Sequence, residues 1–264
     1  MREIRYVTLD PTGNLTCLVL DPVDPEDRPA LTGKLLTQCE QVAYLAPPAK
    51  PEAAGGIRMM GGEFCGNAAM ATAAWLVRDE LAPGEQKTFL LEVSGTKNPV
   101  RCTVRRTAEG YEGTVDMPGI PAIEQKTIEG IPFTLVRLEG IVHLICEGLS
   151  LEKGAAEALI RRAAGQLPDE AAGLLQWDRE TGRMLPLVYV RGSGSLVWER
   201  GCGSGSAAVG AMEALRSGKT KTVIPVSQPG GVITVTAETD TRVVTGISIT
   251  GQIRIGEERQ ITIP

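Results

Sequence analysis

Two segments of this chain combine a cysteine, a glycine and a run of small apolar residues. The first, residues 63–75, reads EFCGNAAMATAAW, and the second, residues 200–215, reads RGCGSGSAAVGAMEAL. Neither run offers a broad polar face, so each is predicted to form a helix that is buried on all sides. Each helix is therefore expected to be the central element of its own domain.

Similar predicted elements flank both segments in the same order. Upstream of each cysteine lie a predicted helix and then two predicted strands. The helix covers residues 25–38 in the first half and residues 149–167 in the second. Ser150 is a suitable N-cap for the second of these helices. Downstream lie a strand, a turn with glycine and a second strand in both halves. This order predicts a duplicated plan.

The duplication sets the predicted domain limits. The first domain is expected over residues 1–118 and the second over residues 119–250, with the main boundary near residues 117–121. The final strand, about 251–264, is expected to return to the first domain.

Composition and charge exclude several classes of protein. The 264 residues include 42% hydrophobic and 22% charged residues, with a net charge of −5 and no basic run. Nucleic acid and anionic membranes are therefore poor candidate partners. No stretch has the length of a membrane helix, and the N-terminus lacks the apolar region of a secretion signal. A cytoplasmic protein is expected.

The six cysteines divide into two kinds. No pair has CxxC spacing, which gives no signal for a zinc site or a thioredoxin-like motif, and no metal is predicted. Four cysteines lie in apolar strand patterns or at a helix end and are predicted to be reduced core residues: Cys17, Cys39, Cys102 and Cys146. Cys65 and Cys202 differ because each opens an apolar helix.

A thiol at a helix N-terminus is suited to acid/base chemistry. The unsatisfied N–H groups and the helix dipole lower the pKa of such a thiol and attract a ligand carboxylate. If the two domains face each other, the sulfurs could act on opposite faces of one amino-acid α-carbon, one as base and one as acid. The helix ends would then stabilise charge on the substrate carboxylate.

Several motifs resemble those of the diaminopimelate epimerase superfamily. They are TGN near the N-terminus, CGN and CGSG at the two helix starts, and QPGG after the second helix. Within the superfamily, PTGNLTCLV, GGEFCGNA, EVSG and WERGCGSG look closest to the cofactor-independent histidine racemases of opine-metallophore biosynthesis. The resemblance spans nearly the whole chain.

The resemblance implies a fold, an activity and a set of site residues. The fold is α+β, with two pseudo-symmetric domains, each a curved mixed sheet around a central buried helix. The activity is racemisation or epimerisation without a cofactor, with Cys65 and Cys202 as the two bases. The substrate-binding residues carried over are the N–H donors Gly66, Asn67, Gly203 and Ser204, and the α-centre residues Asn14 and Gln41.

The chain also departs from diaminopimelate epimerases. The segments that hold the far end of diaminopimelate read GIVHLI and AGLLQ here, with apolar residues at the matching positions: Ile141, Val142, Leu174 and Leu175. A distal carboxylate would be costly there. Glu40 could instead accept an imidazole N–H, which favours histidine as substrate. The Glu199-Arg200 pair abuts Cys202, so no role is carried over to Arg200.

Other readings stay open at this point. A diaminopimelate epimerase, a non-catalytic amino-acid-binding protein and a thiol redox sensor would all use the same scaffold. His143, the single histidine, lies in an apolar run and is expected to be a core residue, which disfavours Cys–His catalysis. The expected partner is an amino acid, bound as a small-molecule substrate, and a homodimer is left open.

Overall fold

The computed structural model describes residues 2–119 and 122–263 and forms two compact units. The first contains the residues up to Asp116 together with those from Thr250 on, and the second runs from Met117 to Ile249. Residues 120 and 121, inside the segment expected to hold the domain boundary, lie outside the described residues.

The first unit contains two helices and eight strand segments. In chain order they are β1 (Arg2–Pro11), β2 (Thr16–Val19), α1 (Arg28–Leu35), β3 (Gln41–Ala46), β4 (Ala53–Met59), α2 (Gly66–Val77), β5 (Gln86–Val93), β6 (Val100–Thr107), β7 (Gly110–Asp116) and the second part of β16 (Val243–Ile263).

The sheet of the first unit closes on itself. The strands pair in the order β1 to β7 and then β16, and β16 also pairs antiparallel with β1. Helix α2 lies inside this ring, because it contacts β1, β2, β4, β5, β6 and β7. Its alanines are fully buried, as the absence of a polar face predicted.

The second unit has a corresponding set of elements. They are β8 (Ala122–Ile128), β9 (Ile131–Leu138), β10 (Ile141–Glu147), α3 (Lys153–Ala164), β11 (Ala171–Asp178), β12 (Arg183–Val190), β13 (Ser195–Trp198), α4 (Gly203–Ser217), β14 (Lys221–Gln228), β15 (Gly231–Asp240) and the first part of β16.

Helix α4 is the central element of this second unit. The strand order is β16, β15, β14, β12, β11, β10, β9 and β8, and α4 contacts β9, β10, β11, β14 and β15. Gly210 allows its close approach to β15, since a Cβ there would lie 2.3 Å from Cγ1 of Val235. A larger residue would force the helix off the sheet.

The two units repeat one pattern of strand pairing, which confirms the predicted α+β fold with central helices. Strands β2 and β3 are parallel, as are β10 and β11, and each pair is bridged by a helix, α1 or α3. Strands β4 and β5 are also parallel, as are β12 and β14, and their crossovers contain α2 and α4. The neighbouring pairs β1–β2, β3–β4, β5–β6 and β6–β7 are antiparallel, as are β8–β9, β9–β10, β11–β12 and β14–β15.

Two local expectations need correction. The N-cap of α3 is Glu152, without a side-chain cap, rather than Ser150. The turn before α3 is held instead from β11, where Oε1 of Gln176 accepts the Leu151 N–H at 2.6 Å. The sequence predicts two strands between α3 and Cys202, whereas the structure has a third, β13, which pairs with β12.

No helix within residues 2–119 and 122–263 is both long enough and apolar enough to cross a membrane.

Candidate active site

Cys65 is the N-cap of α2, and its sulfur takes part in the cap. The sulfur accepts the N–H of Ala68 at 3.4 Å, and the helix begins at Gly66. The thiol is half-buried, whereas Gly66 and Asn67 are buried. A helix start leaves the first backbone N–H groups outside the intrahelical pattern, and Gly66 adds no side chain beside them.

Cys202 occupies the same position on α4. Its sulfur accepts the N–H of Gly205 at 3.3 Å, and the helix begins at Gly203. Cys202 is only 3% exposed, and Ser204 is half-buried. Both units therefore place a cysteine sulfur at the positive end of a buried helix.

Gln41 is the side-chain partner of Cys65. The thiol donates to Oε1 of Gln41 at 3.2 Å, and Nε2 of Gln41 donates to Oγ1 of Thr16 at 2.8 Å. Thr16 in turn donates to the Asn14 carbonyl at 3.1 Å. The structure thus brings three of the predicted residues together, Cys65, Gln41 and Asn14, through Thr16, which sequence reasoning missed.

Asn14 contributes an unpartnered polar atom to this group. Its side chain is 7% exposed, and its Oδ1 makes no hydrogen bond within the described part of the chain. A buried amide oxygen without a partner costs free energy in the folded protein. Such an atom is available to an N–H donor on a ligand.

Glu40 lies next to this group, at the protein surface. It is exposed, and its backbone N–H donates to the Leu15 carbonyl at 2.8 Å, the same oxygen that accepts from Gln41 N–H at 3.3 Å. Its backbone is therefore fixed beside Asn14 and Gln41.

A hairpin loop holds the segment that leads into Cys65. Oγ of Ser94 donates to the Glu63 carbonyl at 2.8 Å and accepts the Met59 N–H at 2.8 Å. Gly95 has a φ of +77°, and a Cβ there would lie 2.3 Å from the Phe64 nitrogen. The EVSG motif thus fixes the approach to the first cysteine.

The QPGG motif does the same for Cys202. Oε1 of Gln228 accepts the Cys202 N–H at 2.7 Å, and its Nε2 donates to Oγ of Ser206 at 2.9 Å. The Gly230 N–H donates to the Arg200 carbonyl at 2.7 Å. In both units the hairpin after the central helix positions the cysteine that begins it.

The two sulfurs have different electrostatic surroundings. Burial raises the pKa of the Cys202 thiol well above its ordinary value, and the Glu199 carboxylate, which accepts a hydrogen bond from it, raises that pKa further. Ser204 and the Gly205 N–H act in the opposite direction. Cys202 is therefore a protonated thiol at neutral pH, and the expectation of a lowered pKa is wrong for this sulfur because burial outweighs the helix N-terminus. Cys65 faces the neutral amide of Gln41.

Among the positions expected to line a distal pocket, three belong to the interior. Val142, Leu174 and Leu175 are at most 1% exposed, and Val142 and Leu174 are part of the core that packs under α3. Their apolar character is explained by core packing. The argument against a distal carboxylate therefore loses its support from these three residues.

Two of the remaining four cysteines, Cys102 and Cys146, are fully buried thiols. Burial raises the pKa of both Cys102 and Cys146 to about 12. All six cysteines are free. Within the described residues, no group of three or more His, Cys, Asp or Glu side chains could hold a metal ion.

The chain matches the model of one protein family over nearly its whole length. The model of the family described as "Histidine racemase CntK N-terminal domain" matches residues 3–261. The chain belongs to this histidine racemase family. The family resemblance predicted from the motifs is thereby confirmed, and the protein is an isomerase of the amino-acid racemase and epimerase class.

Individual relatives agree with this assignment. A histidine racemase of Fusobacterium nucleatum subsp. nucleatum is 29% identical over 97% of this chain and 98% of its own length. A diaminopimelate epimerase of Xanthomonas axonopodis pv. citri is 28% identical over 87% of each chain. In fold, a hydroxyproline epimerase from Agrobacterium vitis superposes with a TM-score of 0.75 at 16% identity, covering 98% of this chain and 92% of its own.

Proposed function

We propose that the protein interconverts the two enantiomers of a free amino acid, with histidine favoured, and that Cys65 and Cys202 are its two acid/base groups. The observation that carries the proposal is the matched position of the two sulfurs. Each is the N-cap of a buried central helix and accepts the N–H of the residue three positions on.

The reaction begins with removal of the α-hydrogen. One thiolate takes the proton, and the electron pair left on the α-carbon spreads into the substrate carboxylate. Backbone N–H groups of Gly66, Asn67, Gly203 and Ser204 are the donors that would stabilise this developing charge, because they lie at helix N-termini.

The second thiol completes the inversion. It gives its proton to the opposite face of the α-carbon, so the product has the other configuration and the two sulfurs have exchanged protonation states. The raised pKa of Cys202 favours its entry into the cycle as the acid. The mechanism requires each sulfur to reach one face of the same α-carbon.

The proposal is tested by α-hydrogen exchange and chirality together. L-histidine is incubated with the protein in heavy water under reducing conditions, deuterium incorporation is followed by NMR, and D-histidine is followed by chiral chromatography. Cys65→Ala and Cys202→Ala should each lower inversion by about 10²- to 10⁴-fold, the usual value of one positioned acid or base.

Two other cysteines provide matched controls. Cys102→Ala and Cys146→Ala remove buried thiols from β6 and β10, and both variants should keep near-unaltered rates per folded molecule. Inversion at the unaltered rate in either Cys65→Ala or Cys202→Ala would contradict the two-base assignment. Binding of histidine without exchange would indicate an amino-acid-binding protein instead.

Diaminopimelate epimerisation is the second candidate, favoured by the relative of that name at 28% identity. The two activities are separated by kcat/KM for L-histidine and LL-diaminopimelate in the same assay. A thiol redox sensor would show no inversion of any amino acid under fully reducing conditions.

A further inference from the structure

Two cysteines outside the candidate active site, Cys17 and Cys39, have side chains in hydrogen-bond contact with each other. Cys17 lies on β2, and Cys39 lies in the segment that joins α1 to β3. Both belong to one apolar cluster of the first unit, where Cys17 has no exposed surface and Cys39 is 9% exposed. The fold therefore brings together two thiols that no sequence motif connects.

The hydrogen bonds of this pair have a definite direction. The Cys39 thiol donates its hydrogen to the Leu35 carbonyl at 3.2 Å, so its sulfur is the acceptor for the Cys17 thiol. The backbone N–H groups of Cys17 and Gln41 also contribute hydrogen bonds to this sulfur. Three donors around one sulfur stabilise its thiolate form.

These contacts make the two thiols chemically unequal. The hydrogen bond from Cys17 lowers the pKa of Cys39, against the opposing effects of burial and of the Glu40 carboxylate. The same hydrogen bond, together with burial, raises the pKa of Cys17. Cys39 is therefore the member of the pair that ionises first, and the thiolate is the form of cysteine that reacts with oxidants.

The position of Cys39 gives a small oxidant a route to the pair. The residues on both sides of it, 36–38 and Glu40, are exposed, whereas Cys17 lies behind it in the core. An ionisable sulfur near the surface, with a second sulfur in contact behind it, is the arrangement found in redox-sensitive cysteine pairs. In such a pair the first thiol meets the oxidant and the second resolves the product.

We propose that Cys17 and Cys39 are a modification site at which hydrogen peroxide forms a reversible disulfide. The Cys39 thiolate attacks one peroxide oxygen, the O–O bond breaks, and the departing hydroxide takes up a proton to become water. Cys39 is then a sulfenic acid. The Cys17 sulfur attacks it, the S–O bond breaks, and the second water leaves with the Cys17 proton. The two thiols thus lose two electrons and two hydrogens, and one peroxide becomes two waters.

The backbone links this pair to the candidate active site. Thr16 directly precedes Cys17, and Gln41 follows Cys39 by two positions. The side chains of Thr16 and Gln41 share a hydrogen bond of 2.8 Å, and Gln41 accepts from the Cys65 thiol. A disulfide bond is only about 2 Å long, so its formation draws the two segments together and alters both contacts. Oxidation should therefore lower turnover, and this effect alone rests on the proposed function.

The disulfide can be detected without any activity. The variant Cys65→Ala/Cys202→Ala is treated with hydrogen peroxide, its remaining thiols are alkylated, and its tryptic peptides are mapped by mass spectrometry. Trypsin cleaves after Lys34, so the two cysteines fall on different peptides. We expect a linked pair of these peptides, lighter by two hydrogens, which dithiothreitol separates. Cys102, whose pKa is about 12, should be oxidised at least about tenfold more slowly.

Single variants on the same background test the order of the two steps. Cys17→Ala keeps the first sulfur without its partner, so Cys39 should remain a sulfenic acid that dimedone traps. Cys39→Ala should leave Cys17 unoxidised, because the buried thiol ionises less readily. Cys102→Ala is the matched control: it removes another buried thiol from the first unit and should leave the yield of linked peptide unchanged.

The link to the active site is tested with both catalytic candidates present. Each protein is compared with its own untreated rate of histidine racemisation, because peroxide also attacks Cys65 and Cys202. At a dose that removes half the activity of the unaltered protein, Cys102→Ala should lose as much and Cys39→Ala should keep most of its activity. Dithiothreitol should restore the activity that the unaltered protein loses through the disulfide.

Two results would overturn the proposal. One is oxidation of Cys102 before any linked peptide of Cys17 and Cys39 appears, since the pair would then have no special reactivity. The other is equal inactivation of Cys39→Ala and the unaltered protein, which would remove the link to Cys65. If the linked peptide forms but no amino acid is racemised, the proposed function fails and the modification site stands.

Discussion

The Cys65 thiol donates a hydrogen bond to Oε1 of Gln41 across 3.2 Å. The other end of the same amide donates to the hydroxyl of Thr16, a group that can either accept or donate. If the amide turns over, Nε2 faces the sulfur and Thr16 can donate to Oε1. Gln41 can therefore support the thiol in one orientation and the thiolate in the other, as an acid/base residue requires.

A carboxylate in place of this amide should disable Cys65. Gln41→Glu puts a negative charge beside the sulfur and removes the donor that the thiolate needs, so the pKa of Cys65 should rise. We expect kcat/KM for racemisation near pH 7 to fall about tenfold or more and to recover as the pH increases. The measurement is a pH profile of kcat/KM.

Gln125→Glu is the matched control for this variant. Gln125 also donates its amide to a threonine hydroxyl, that of Thr134 at 2.9 Å, but on β8 of the other unit. Its pH profile should match that of the unaltered protein. A parallel shift in both variants would count against the role of Gln41.

Removing the charge of Glu199 should act on Cys202 in the opposite sense. After burial, its carboxylate is the largest cause of the raised pKa of Cys202. Glu199→Gln should therefore lower that pKa and move the limb of the pH profile that reports Cys202 toward lower pH. Glu238→Gln, on an exposed part of β15, serves as the control. An unmoved limb would contradict the assignment.

The buried His143 should give the folded protein a pH-dependent stability. Its pKa is about 3 in the folded state and about 6.5 in the unfolded chain. The unfolded chain therefore binds one more proton between these values, so the free energy of unfolding falls as the pH falls through this range. Above about pH 7 the free energy of unfolding does not depend on the protonation of His143.

Urea unfolding provides the measurement. From about pH 6 to about pH 5 the free energy of unfolding should decrease by about 1.4 kcal/mol per pH unit. The chain has no other histidine, so His143→Gln should remove most of this slope. A slope that persists in His143→Gln would show that other groups cause it.

The sequence predicts those features that depend on the residue types of one short segment. Cys65 and Cys202 before runs of alanine and glycine predicted buried helices with sulfur at their N-termini, and both exist. The repeated order of elements predicted two units of the same plan. Asn14 and Gln41 were named from motif resemblance, and their connection through Thr16 depends on pairing between β2 and β3.

The long-range contacts around the two cysteines could not be predicted from the sequence. His143 and Ser204 are 61 positions apart and meet only because α4 packs on β10. The need for a glycine at position 173 follows from its register with His143, because a Cβ there would lie 2.2 Å from Nδ1 of that ring. Val142 and Leu174 belong to the core and not to a pocket. The sequence does not distinguish the two cases, because both the wall of a pocket and a core contain apolar residues. The homodimer and the catalytic roles stay predictions.

Substrate choice is expected to depend on Glu40. This carboxylate is exposed, and its backbone is fixed beside Gln41 by the Leu15 carbonyl. It can accept an imidazole N–H, which alanine and methionine lack, so kcat/KM should be higher for L-histidine than for L-alanine or L-methionine. LL-diaminopimelate is included because its distal ammonium group could also pair with Glu40. Chiral chromatography of all four reactions gives the comparison. If diaminopimelate leads, the histidine assignment is wrong.

Glu40→Gln tests the role of this carboxylate separately. Losing a hydrogen bond to an ionised group should lower kcat/KM for L-histidine about tenfold and leave that for L-alanine within about twofold. Glu52→Gln, also exposed and in the same unit, should change neither value. Equal losses for histidine and alanine would mean that Glu40 acts on the common part of the substrate. No loss for either would leave histidine as substrate without a role for Glu40.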